Sequence, residues 1–138
     1  MNYKHQIHTV SSISYSSSSL DGKTENELFT EIRTGADNNF RTIVIDISVR
    51  VELPNGETPL TLMTRDIFQR TDRNAGTPED INKVVNANIS DTLKRTDYDL
   101  QSLVSMCHIG KMNFPHLDSL AFEKRPVTEN DEPKTMFS

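Results

Sequence analysis

The sequence predicts an α+β fold, an antiparallel sheet followed by one long C-terminal helix. Three observations carry this. Ile43, Ile45, Ile47, Val49, Val51 and Leu53 occupy successive odd positions with mostly polar residues between them, the period of a strand with one buried face. An Asn55-Gly56 pair follows, favoured where a two-residue hairpin turn needs positive φ. From Thr77 onward, apolar residues recur mostly at spacings of three and four, as on one stripe of a helix.

The first strand is expected over residues 6–15, where Ile7, Val10, Ile13 and Tyr15 stand among Ser and Thr. Their alternation is imperfect, which points to a bulge. The run Ser16-Ser17-Ser18-Ser19 extends this strand or forms the loop after it, and Asp21-Gly22-Lys23 is a turn signal. Residues 27–33 read as a short second strand ending at Gly35. The third strand carries the alternating run, with Val44 its one apolar even position, and residues 58–68 return as the fourth.

The segment 70–76 is charged and turn-rich, and Thr77-Pro78-Glu79-Asp80 then reads as a helix start. Thr77 can cap free amides, Pro78 suits the first helical position, and the two acids face the positive end of the helix dipole. Ile81, Val85, Ile89, Leu93, Leu100, Leu103, Val104 and Cys107 fall on one stripe, so a single helix to about residue 109, roughly 45 Å long, is expected. A break, if present, would fall at Arg95-Thr96-Asp97. Gly110 stops the helix, and the apolar segment from Phe114-Pro115-His116-Leu117 to Leu120-Ala121-Phe122 should pack back on the fold. Pro126, Pro133 and the cluster Glu129-Asn130-Asp131-Glu132 mark a tail. The expected division is one domain over residues 1–123 and a flexible tail over 124–138.

A chain of 138 residues can bury a core without disulfide or metal staples. Its hydrophobic content of 34% and mean hydropathy of −0.57 are low, so part of the chain is expected to be loop and tail and part of its apolar burial to lie between subunits. The net charge of −5, with 15 basic residues dispersed among 20 acidic ones, argues against nucleic acid as a partner. Cys107 is the only cysteine, which excludes an internal disulfide. The opening residues lack the apolar core of a signal peptide, and no run approaches the roughly 20 apolar residues of a membrane span. A cytoplasmic location without membrane insertion is therefore expected.

No phosphate-cradling glycine loop, zinc-protease helix, nucleophile elbow or Cys-x-x-Cys pair is present, so neither catalysis nor a cofactor is expected. His5 and His8, three apart in a strand, should point to opposite faces and are poorly placed to share a metal. Cys107, His108 and His116 read as a buried thiol and two solvated imidazoles. Asp97 and Asp99 point in nearly opposite directions on a helix and read as solvated. Asn88-Ile89-Ser90 matches a glycosylation acceptor only by chance in mid-helix, and an enzyme site from Asp66, Arg65 and His108 has no spacing to support it.

The order of elements resembles the SecB family of protein-export chaperones. The likeness is carried by His5-Gln6-Ile7 through Ile13-Ser14-Tyr15, by the hairpin over residues 40–68 with Gly56-Glu57-Thr58 at its turn, and by Leu103-Val104-Ser105-Met106 leading to Gly110 and Phe114-Pro115-His116-Leu117. Where the family has a glycine-rich crossover, this chain has Asp66-Ile67-Phe68-Gln69 and a charged loop. The resemblance implies a four-stranded antiparallel sheet with the long helix packed on one face. It further implies a homotetramer with long helices between the sheets, and an ATP-independent holdase that binds unfolded polypeptides.

Such a holdase serves protein export with a SecA-like motor, or protects a labile partner such as an antitoxin. The alternative is a non-chaperone interaction module or assembly subunit of the same architecture. Client contact is assigned to Met63, Ile67, Phe68, Phe114, Leu117 and Phe122, with Phe68 and Phe114 beside loops where they could line a groove. Ile81, Val85, Ile89, Leu93, Leu100 and Val104 are assigned to the oligomer interface, because their stripe offers more apolar length than one small sheet should cover.

Overall fold

The computed structural model describes residues 2–16, 27–54 and 56–106. Within them the chain forms β1 (Tyr3–Tyr15), β2 (Glu27–Ala36), β3 (Thr42–Glu52), β4 (Leu60–Arg70) and a helix, α1 (Pro78–Met106). The strands pair antiparallel in the order β1-β4-β3-β2, and α1 packs on one face of the sheet. This is the α+β architecture expected. Residues 107–138 lie outside the description, and with them the Gly110 stop, the Phe-Pro segment, the tail, Cys107, His108 and His116. The turn at Asp21-Gly22-Lys23 and most of the serine run lie outside it too.

The alternation in β3 determines which face is buried. Ile43, Ile45, Ile47, Val49 and Val51 are at most 1% exposed and lie under α1 with Leu60, Leu62 and Phe68 of β4. From the helix, Ile81, Val84, Val85, Leu93, Leu100 and Leu103 close the other side of this core. The strands are longer than the alternation alone marked. β1 starts three residues earlier than expected, at Tyr3, and β2 runs on to Ala36.

That extra length corrects the expectation about the helix stripe. Strands of 10 to 13 residues reach roughly 33–43 Å, close to the roughly 44 Å of a 29-residue helix. Ile81, Val85, Leu93 and Leu100 are accordingly 0–7% exposed within one chain, and Ile89 and Val104 are partly buried against the same core. The chain's own sheet covers the stripe assigned to an interface.

Two local expectations also change. The β3–β4 ladder ends at Val51↔Leu60, so the connection is longer than a two-residue turn. Leu53 leaves the ladder to enter the core, its N–H donates to the Glu57 carbonyl, and Gly56 takes the positive φ of 89° while donating to the Leu53 carbonyl. The helix does not break at Arg95-Thr96-Asp97. Thr96 is fully buried, and its hydroxyl lies 3.0 Å from the Thr92 carbonyl and 2.6 Å from the Thr64 hydroxyl of β4, so tertiary contacts outweigh its weak helix propensity.

The start of α1 is tied to three other elements. Asp80 accepts a hydrogen bond from the Thr77 N–H, the reciprocal half of a capping box, and this bond holds its carboxyl below the usual range against the opposing effect of burial. The Tyr3 hydroxyl donates to the Phe40 carbonyl at 2.6 Å, and the Arg70 guanidinium lies 5.5 Å over the Tyr3 ring and 3.3 Å from Asp80. A side chain at Gly76 would overlap the Tyr3 hydroxyl and the Phe40 carbonyl. The described helix is not long and apolar enough to cross a membrane.

Candidate polypeptide-binding edge

β1 is an edge strand, paired with β4 on one side only among the described residues. Two register shifts, between His5 and Ile7 and between Val10 and Ser12, interrupt its ladder. Each adds a residue to β1 opposite β4 and turns the following side chains to the other face. Ile7 thus sits opposite Ile67 on the face away from the helix, while Val10 and Ile13 sit opposite Thr64 and Leu62 on the helix side. All three are well exposed, at 47%, 43% and 50%.

Beyond Lys4, β1 contains no Asp, Glu, Lys, Arg or Pro. Edge strands ordinarily carry charges, prolines or coverings that discourage a further strand from pairing. Here, among the described residues, a long edge without a second partner strand carries apolar side chains on both faces. Those two features recognise an extended polypeptide without regard to its sequence.

A polar network underlies the same strand. Asp66 of β4 is wholly buried and accepts from His5 Nε2 at 2.7 Å, His8 Nδ1 at 2.9 Å and Arg95 Nη1 at 3.1 Å. The other ring nitrogen of His8 lies 2.5 Å from Asp99 Oδ2 on α1. The bulge at Gln6 corrects the expectation that His5 and His8 diverge: it places both rings on the helix side. Asp99 likewise departs from the solvated reading, while Asp97 stands within reach of Gln101. Burial alone pushes the His8 imidazole down, but the hydrogen bonds and charges of Asp99 and Asp66 outweigh it and hold its pKa above 6.5.

The residues assigned to client contact do not form one surface. Met63 and Ile67 lie half-buried on the face away from α1, whereas Phe68 points into the core at 1% exposure with its ring edge-on to His5. Phe114, Leu117 and Phe122 lie outside the described residues. Arg65 and Asp66 diverge as neighbours on a strand must: Arg65 forms a two-pronged pair with Asp46 at 2.8 and 2.9 Å on the face away from α1. Among the described residues no group of His, Cys, Asp and Glu is arranged to hold a metal ion. Sequence reasoning missed the β1 edge as a candidate site, although the run from Ile7 to Tyr15, free of Asp, Glu, Lys, Arg and Pro, was the signal that marks it.

No protein-family model matches the chain, and no curated protein does. Among solved structures it is similar to a SecB-like chaperone of Mycobacterium tuberculosis in complex with a ChAD peptide from the HigA1 antitoxin. The identity is 12%, the match covers 91% of this chain and 94% of that one, and the TM-score is 0.48.

Proposed function

We propose that the chain is an ATP-independent holdase of the SecB-like kind, not an enzyme, that captures extended, unfolded polypeptide along the outer edge of β1. The observation that carries this reading is the long edge, free of Asp, Glu, Lys, Arg and Pro beyond Lys4, with Ile7, Val10 and Ile13 exposed and no second partner strand among the described residues. Holding an unfolded chain requires apolar surface and backbone pairing, and consumes no nucleotide. Clients from an export pathway and a labile antitoxin-like partner present the same chemistry to such an edge. A homotetramer and a SecA-like motor partner, both implied by the family resemblance, belong to the proposal. The tetramer must draw on surface other than the buried helix stripe.

The test is suppression of aggregation of a chemically unfolded model protein by the triple variant Ile7→Lys, Val10→Lys, Ile13→Lys. Each site is exposed, so thermal stability should change by about 0.5 kcal/mol or less per substitution. Capture should weaken about tenfold or more, a loss of at least ~1.4 kcal/mol. Full suppression by a folded variant would remove β1 as the site. If the wild-type chain suppresses no aggregation and instead binds one partner in fixed stoichiometry, the interaction-module reading replaces the holdase.

A further inference from the structure

The environment of His8 goes beyond any need of a binding edge. Its two ring nitrogens face two different carboxylates, Asp66 on β4 at 2.9 Å and Asp99 on α1 at 2.5 Å. A neutral imidazole has one N–H and one lone pair, so only the doubly protonated ring can donate to both. Charge leads to the same state. Asp66 and Asp99 carry two negative charges, Arg95 supplies one positive charge, and protonated His8 supplies the other. His5, on the far side of Asp66, is the remaining titratable group in the network. Phe68, edge-on to His5, and the buried Thr64–Thr96 hydroxyl pair between β4 and α1 carry no charge.

The pairing of β1 with β4 is irregular on both sides of this ring. Register shifts flank the segment from Ile7 to Val10, while the ends of β1 are held by Tyr3 against Phe40 and by the Ser16 N–H on the Pro59 carbonyl. Between those anchors, the His8 bridge joins β1 to both β4 and α1.

We propose that protonated His8 is a latch that closes the middle of β1 against Asp66 of β4 and Asp99 of α1, and that loss of its proton lets residues 7–10 open. The latch stands independently of the holdase reading, because it concerns how the strand is held and not what the strand binds. Its pKa in the folded state lies above the ordinary 6.5. The latch is therefore complete below about pH 6.5 and is lost as pH rises through the folded value, so release belongs to neutral and alkaline pH.

Amide hydrogen exchange, corrected for intrinsic rates, tests this at about pH 6 and about pH 9. In the wild-type chain, opening of residues 7–10 relative to β2 should increase with pH, by about tenfold for each unit by which the folded His8 pKa exceeds the ordinary one. In His8→Gln the segment should open equally at both pH values, and in His5→Gln the dependence should survive. Should His8→Gln fail to fold, Asp99→Asn serves: removing one carboxylate should move the opening midpoint to lower pH. The latch is overturned by a His8 ring that titrates at or below its ordinary value in nuclear magnetic resonance, or by opening that follows pH equally in His8→Gln. An unmoved midpoint in Asp99→Asn, or a dependence abolished by His5→Gln, would overturn it as well.

Discussion

Phe68→Ala is expected to cost about 3–5 kcal/mol and to leave the domain largely unfolded at moderate temperature. The ring is 1% exposed, sits opposite Ile43 on β3 and His5 on β1, and packs edge-on against the His5 imidazole with centroids 5.1 Å apart. Truncation opens a cavity at the junction of three strands, where rigid backbone limits collapse. The sequence placed this residue beside a loop as a groove-lining side chain, which the core could spare. The structure predicts the opposite, and urea unfolding distinguishes the two: a large fall in midpoint supports the core position, and a midpoint equal to wild type refutes it.

Asp66→Ala is the second large effect, expected at about 3–5 kcal/mol, the usual penalty for removing one partner of a buried ion pair. It leaves His5 Nε2, His8 Nδ1 and Arg95 Nη1 without the acceptor they share. Asp46→Ala on the face away from α1 is the matched control. Its Arg65 partner is partly solvated, so that change should cost about 1 kcal/mol or less. Thermal unfolding of both variants checks the contrast, and equal losses would show that the buried network carries no special weight.

The parts of the fold that were legible are those whose signal is local. In β3 each odd residue is buried and most even ones are not, so period-2 patterning named its inner face. The capping residues ahead of Ile81 marked the start of α1 in the same way. The position of Phe68 was also readable, since it shares parity with Leu60 and Leu62 of the core, but its closeness to a loop was given more weight. The polar network was not legible: Asp66 looks like a surface residue until the order β1-β4-β3-β2 brings His5 and His8 beside it and α1 brings Asp99 and Arg95. The helix stripe was misjudged because strand length, unlike strand periodicity, is poorly marked in a sequence.

The central claim is that β1 takes up extended polypeptide along its open edge, and amide protection in the presence of a permanently unfolded, carboxymethylated protein tests it most directly. Saturating client should slow exchange at alternate, outward-facing amides of β1 by about tenfold or more and leave β2 and α1 at their free rates. Unchanged exchange along β1 with the client bound, or protection confined to another surface, would contradict it.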